Sequence, residues 1–233
     1  MVNGKSSGQF STMALLIGEP ARAIMLWKLL GGKAFTATEL AISADISAQS
    51  ASMHLTKLVK ANLLSVVSQG RHKYYHLSGP EVAYVLESIA NLVPADKLVT
   101  DEPEPINQND IKYCRTCYDH LAGRVGVAVT NRLVEKKIIV GHGKHNYEVT
   151  PKGIKWFADL NISTHDLMKQ RRAFARKCLD WSERRYHISG SLGAALLDKM
   201  IKMKWMSRQK SSRIVLVTST GQTKLYDLLG LNL

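Results

Sequence analysis

Cys117-Tyr118-Asp119-His120 and Cys178-Leu179-Asp180, the second followed after a short insertion by His187, place the same three chemistries twice in one chain. Thiolate sulfur, imidazole nitrogen and carboxylate oxygen together suit zinc or another borderline divalent ion. If the two segments face each other across a pseudo-twofold axis, Cys117, Asp119, His120, Cys178, Asp180 and His187 converge on a centre for metal binding or thiol sensing. A plainer reading stays open beside it. A cysteine at the start of an apolar helix is commonly a small buried hydrophobe, and an Asp beside it caps that helix. Cys114-Arg115-Thr116-Cys117 also spells Cys-x-x-Cys, but the strand and βαβ context of a redox pair are not visible, and one such pair is weak for zinc. With only 3 cysteines and no secretory signal, a disulfide framework is not expected.

The elements that must position these residues are themselves repeated. Gly123-Arg124-Val125-Gly126-Val127-Ala128 recurs as Gly190-Ser191-Leu192-Gly193-Ala194-Ala195, and each copy runs through an apolar helix to a turn. Each then reaches a strand and a helix start, Tyr147-Glu148-Val149-Thr150-Pro151-Lys152-Gly153 against Val215-Leu216-Val217-Thr218-Ser219-Thr220-Gly221. Such Val-Thr-x-x-Gly runs look like the end of a wing hairpin, with Thr capping the next helix. Two copies are too few for a solenoid, so the pattern reads as a duplicated domain.

The other half has a different grammar. Pro20 opens a helix in which Ile24, Leu26, Trp27 and Leu30 fall at helical spacing, and Gly31-Gly32 stops it. Thr36 with Glu39 three residues on is a capping box, so a second short helix starts at Ala37 or Thr38. Ser47 caps a third, whose buried face is Ala51, Leu55, Leu58 and Val59. Its remaining side chains, Gln49, Ser50, Ser52, His54, Thr56 and Lys57, are short or hydrogen-bonding, as a helix entering the major groove requires. Strand-like runs at 64–68 and 73–77 flank Gln69-Gly70-Arg71-His72, a basic hairpin. Helix, helix, turn, helix and hairpin make a winged helix-turn-helix. Gln49, Ser50, Ser52, His54 and Thr56 are expected at bases or nearby phosphates, and Lys57, Arg71, His72 and Lys73 at the backbone.

This segment resembles the ArsR-type winged-helix repressors of bacteria, on Glu39-Leu40-Ala41, then Ser47, Ser50, Ser52, His54-Leu55 and Leu58, then Gly70-Arg71, Tyr74-Tyr75 and Leu77. The stretches 115–123 and 178–184 resemble a longer group of ArsR-type proteins that carry a similar C-terminal half. The resemblance implies a homodimer on a double-stranded operator, with the apolar helix after the wing (Val82, Val85, Leu86, Ile89, Leu92, Val93) in the dimer interface. It does not imply the metal sites of the family's metal sensors. Thr38-Glu39-Leu40-Ala41 stands where those proteins carry a cysteine pair, and the helix after the wing has no His.

Composition bounds the rest. The 233 residues are 45% hydrophobic and carry a net charge of +13, ten of it within 168–233, so the basic excess lies outside the segment read as the DNA reader. Arg171, Arg172, Arg176, Lys177, Arg184 and Arg185, interleaved with Phe174, Trp181 and Tyr186, are a second nucleic-acid contact, a solvated surface, or an inter-domain clamp against the acidic linker. No stretch reads as a signal peptide or membrane span, which predicts a cytoplasmic protein without membrane partners. No Gly-x-Ser-x-Gly, phosphate loop or dinucleotide fingerprint is present, and no enzyme is expected. The expected class is α+β, mainly helical with small hairpin wings. Residues 1–97 would form the winged helix-turn-helix and dimerisation domain and 98–110 a linker. Residues 111–167 and 168–233 would be two tandem winged-helix-like units. The function that follows is a sequence-specific transcriptional regulator, a dimeric repressor relieved by an unidentified small ligand, a metal or a thiol signal. Its rivals are a thiol or metal redox protein and a non-specific nucleic-acid-binding structural protein.

Overall fold

A computed structural model describes residues 4–93, 107–210 and 212–233, and the chain divides into two compact units, Met1–Leu86 and Glu87–Leu233. Most of the expected linker lies outside the described residues.

The first unit begins with α1 (Gly4–Gly18), which the sequence reading did not anticipate, and α2 (Pro20–Leu30). Pro20 occupies the first turn of α2, where its missing N–H costs nothing, and the Glu19 carboxylate caps the helix by accepting from the Ala21 and Arg22 amides. The face of α2 departs from expectation. Met25, Leu26, Leu29 and Leu30 are buried, whereas Ile24 and Trp27 are nearly half exposed. An almost wholly apolar helix gives periodicity little to discriminate, so tertiary packing chooses the face. After β1 (Phe35–Thr36) come α3 (Ala37–Ser43) and α4 (Ala48–Lys60). The Thr36–Glu39 capping box is complete, with the Thr36 amide donating to Glu39 Oε2 at 2.7 Å, and Ser47 Oγ accepts from the Ser50 amide at the start of α4. β2 (Leu64–Gln69) and β3 (His72–Leu77) form the wing around a Gly70-Arg71 turn in which Gly70 takes φ +59°, a region L side chains avoid. β1 adds to the outer edge of β3, giving the strand order β1-β3-β2. The division between the units falls within α5 (Pro80–Ala90).

The second unit is built from two copies of one sequence of elements. The first copy is β4 (Arg115–Cys117), β5 (His120–Ala122), α6 (Gly123–Glu135), β6 (Ile139–His142), β7 (Asn146–Val149) and α7 (Pro151–Asp159), followed by α8 (Thr164–Met168). The second is β8 (Arg176–Leu179), β9 (Tyr186–Ser189), α9 (Gly190–Lys202), β10 (Met206–Arg208), β11 (Val215–Val217) and α10 (Ser219–Leu229). Each copy therefore reads hairpin, helix, hairpin, helix. The wing-like second hairpin, with Thr150 or Thr218 capping the helix after it, is where the Val-Thr-x-x-Gly runs put it. The first hairpin stands where a winged helix would place its helix-turn-helix pair, because residues 115–117 and 120–122 are buried throughout and pair as strands. Gly123 and Gly190, at φ +77° and +80°, carry each chain from its first hairpin into its helix; a side chain there would strike backbone carbonyls of 112–113 or 173–174.

The copies interlock. The second hairpin of the first copy pairs with the first hairpin of the second in one sheet, β6-β7-β8-β9. The reverse pairing closes the ring, where Arg115 bridges Ile214 and the Thr116 amide donates to Arg213 O at 2.9 Å. One continuous core results, with Val125, Val129, Leu133 and Phe157 from the first copy against Ile188, Leu192, Leu197 and Leu225 from the second.

Candidate DNA interface and candidate metal centre

In the first unit, α4 turns Ala51, Leu55 and Leu58 into the core and leaves Gln49, Ser52, Thr56 and Lys57 exposed, with Ser50 half-buried. Thr56 Oγ1 donates back to Ser52 O at 2.8 Å, which leaves its methyl and a lone pair outward. His54 behaves differently from the base contact expected of it. Its half-buried ring turns inward, with Nδ1 3.2 Å from Arg22 Nη1 and 3.4 Å from Glu19 Oε2. Arg22, buried, also donates to Leu16 O at 2.7 Å and Leu15 O at 2.9 Å, so one guanidinium ties the end of α1 to α4. Sequence reasoning missed Arg22, because an Arg on an amphipathic helix reads as surface until burial is known. Arg71, His72 and Lys73 stand exposed at the wing tip.

In the second unit, the six residues expected to converge do so in two shells. The β4–β5 register sets Cys117 opposite His120, and the β8–β9 register sets Cys178 opposite His187. One ligand atom from each of the four lies within 4.8 Å of every other. Cys117 Sγ is 4.0 Å from Cys178 Sγ, and His120 Nε2 is 3.2 Å from His187 Nε2. Cys117, His120 and His187 are almost fully buried and Cys178 half-buried.

Asp119 and Asp180 stand behind the imidazoles. Asp119 Oδ1 lies 3.2 Å from His120 Nδ1, and as an ionised carboxylate it only accepts, which assigns the proton to Nδ1. Burial works against its charge, yet hydrogen bonds from His120 and from Arg172, whose Nη1 is at 2.6 Å, outweigh this and hold the carboxyl down at about 2. Burial likewise disfavours a His120 cation, but Asp119 and Cys117 carry it up to about 9. Asp180 Oδ2 lies 3.4 Å from His187 Nδ1, close but without hydrogen-bond alignment. The contact with Cys178, reinforced by burial, pushes the Cys117 thiol far above its ordinary range. Cys114, the other half of the Cys-x-x-Cys, is fully buried in the apolar core with its thiol pushed up to about 12, so it is a packing residue.

Asp180 is shared with a second network that sequence reasoning missed. Arg115, with no exposed surface, donates from Nη2 to Asp180 Oδ2 at 2.9 Å, from Nε to Glu87 Oε1 at 3.2 Å and from Nη1 to Ser182 Oγ at 3.1 Å. Its guanidinium lies 5.0 Å from the Trp181 ring centroid, and Trp181 Nε1 and Arg213 Nη1 both donate to Glu87 Oε1 at 2.8 Å. Burial opposes the charge on Asp180, but Arg115 and the Gly123 amide leave its carboxyl well below the usual range. Three of the six basic residues of the run find partners within this unit. Arg172 is on Asp119, Arg184 donates to the carbonyls of Ala90 and Val93, and Lys177 donates to Gly143 O.

Residues 17–67 match a family described as a helix-turn-helix domain. Over 207 residues the chain is 42% identical to an uncharacterised HTH-type transcriptional regulator, YdfF of Bacillus subtilis, spanning 89% of this chain and 91% of that one. Among solved structures, HlyU from Vibrio cholerae is 24% identical over 38% of this chain and 96% of its own, with a TM-score of 0.35. A homodimeric winged helix-turn-helix DNA-binding domain from Mycobacterium bovis is 19% identical over 40% of this chain and 86% of its own, also at 0.35. No helix among the described residues is long and apolar enough to cross a membrane.

Proposed function

The chain belongs to the HTH-type transcriptional regulators, and from that premise we propose a dimeric repressor that reads a pseudo-palindromic operator and releases it on binding a ligand. The carrying observation is the outer face of α4, where Gln49, Ser52, Thr56 and Lys57 project from a helix firmly capped by Ser47. Short hydrogen-bonding side chains let a helix sit deep in the major groove, with Gln49 and Ser52 at base edges and Lys57 against phosphate. Arg71 and Lys73 on the wing neutralise the flanking backbone. His54 acts one step back, orienting α4 through Arg22 and Glu19.

Two-fold operators require a two-fold protein. Tyr84, Val85 and Ile89 present an apolar stripe on α5 that is more than two-fifths exposed at each position, and pairing with a second copy would cover it. Repression follows from occluding the promoter. Relief follows from a ligand that favours a dimer whose recognition helices are wrongly spaced.

The test is binding to the duplex upstream of the protein's own gene against a scrambled duplex at fixed salt, with the mass of each complex measured. A preference of 1,000-fold or more, on the order expected for a specific operator, with two chains per duplex, supports the reading. Equal affinity for both duplexes overturns it.

A further inference from the structure

The second unit carries a centre that DNA recognition does not use. We propose that Cys117, His120, Cys178 and His187 bind one zinc ion in a closed tetrahedral site that fastens the two copies together. The inference stands on the second unit alone and is independent of the operator reading.

Three observations carry it. The first is spacing. Tetrahedral zinc with Zn–S of about 2.3 Å and Zn–N of about 2.0–2.1 Å sets its two sulfurs about 3.8 Å apart and its two nitrogens about 3.3–3.4 Å apart. The sulfurs here are 4.0 Å apart and the nitrogens 3.2 Å. A disulfide would need the same sulfurs at about 2.05 Å.

The second is the direction of the imidazoles. With the His120 proton on Nδ1, where Asp119 accepts it, His120 Nε2 faces His187 Nε2 at 3.2 Å inside the protein. Two ring nitrogens that close need a proton or a metal cation between them. His with a carboxylate behind Nδ1 and metal ahead of Nε2 is the usual way a protein orients such a ligand. Asp119 provides that carboxylate for His120, and Asp180 Oδ2 lies 3.4 Å behind His187 Nδ1.

The third is charge. Two cysteines held as thiolates by a divalent ion, with two neutral imidazoles, make a centre with no net charge, which a dry interior tolerates. On binding, each Cys S–H loses its proton to water as the S–Zn bond forms, both imidazoles coordinate as neutral bases, and nothing is oxidised or reduced. Mixed sulfur and nitrogen donors in a tetrahedron select zinc over harder ions. Four protein ligands leave no open position, which makes the ion a fastener and not a catalyst.

The experiment uses untagged full-length protein purified in reductant with zinc present. Expected are one zinc per chain after gel filtration, two thiols shielded from a thiol reagent until a strong chelator is added, and a thiolate-to-metal absorption band when cobalt(II) replaces zinc. The paired substitution C117S with C178S should abolish retention. Should that variant fail to fold, H187Q and the chelator-dependent thiol count on the native protein still decide the matter. The proposal is overturned if the folded wild type retains no zinc, if retention survives loss of both cysteines, or if the thiols are equally reactive before and after chelation. A proton shared between the two imidazoles in metal-free protein would be the outcome behind the first of these.

Discussion

Arg115 Nη2 and Asp180 Oδ2 meet at 2.9 Å with neither side chain exposed, and the pair joins the first hairpin of one copy to the first hairpin of the other. Removing the cation would take its guanidinium partner from buried Asp180 and leave buried Glu87 to Arg213 and Trp181. Arg115→Ala should therefore destabilise the second unit by about 3–5 kcal/mol, read by urea unfolding. Arg115→Lys should recover little, since one ammonium cannot reproduce the fork that engages Glu87, Asp180 and Ser182 together. A loss below about 1 kcal/mol, the range of surface ion pairs, would show that the network is not needed for the fold.

On the DNA-facing side, substitutions should sort by what they touch. Lys57→Ala or Arg71→Ala should weaken specific and scrambled duplexes alike and lower the salt slope by about 1 each. Gln49→Ala should cost about 1–3 kcal/mol on the operator and almost nothing on the scrambled duplex. His54→Ala should act through protein stability, with loss of the α1–α4 tie visible in thermal unfolding without DNA. Operator titrations at several salt concentrations separate these patterns, and a base-specific loss from Lys57→Ala would refute the assignment.

Gly153 and Gly221 occupy the same place in the two copies, and a Cβ on either would collide with a backbone carbonyl, Ile138 O or Trp205 O. Gly153→Ala and Gly221→Ala should each cost about 1–3 kcal/mol or more, since backbone must move to make room. Neither should change DNA contacts directly. Chemical denaturation of the single variants tests whether the two positions are equivalent.

Acid should loosen α3. The Thr36 amide and hydroxyl on Glu39 hold its carboxyl below the ordinary value of 4.5, with Lys28 adding to the effect. A folded-state pKa that is depressed adds stability above the unfolded value and loses it as pH falls through the folded one. Wild type should thus exceed Glu39→Gln in stability near neutral pH, and the gap should close below about pH 4, near the unfolded glutamate pKa. A gap that does not change with pH would place the effect in hydrogen-bond geometry and not in charge.

Much of this molecule is written locally. Thr36 with Glu39, and Ser47 before an apolar-periodic run, announce two helix starts because capping needs only neighbours in sequence. The matched Cys-x-Asp segments announced the candidate centre because register within a hairpin is local too. Arg115 was illegible, since only the crossing of hairpins from distant parts of the chain makes an arginine's surroundings fully buried. The inward contact of His54 is illegible for the same reason, its partner Arg22 being 32 residues away. The α2 face failed because the helix is apolar nearly all round.

The crossed pairing of hairpins also sets an order of assembly. Thr116 meets Arg213 across 97 residues, so the first copy to leave the ribosome cannot close its sheet edge until the last one emerges. The Met1–Leu86 unit is a compact body of its own and can form while synthesis continues. A nascent chain stalled near residue 170 would then present a finished DNA reader beside a half-built neighbour with an open strand edge. That interval is when the chain is most exposed to aggregation and to proteases.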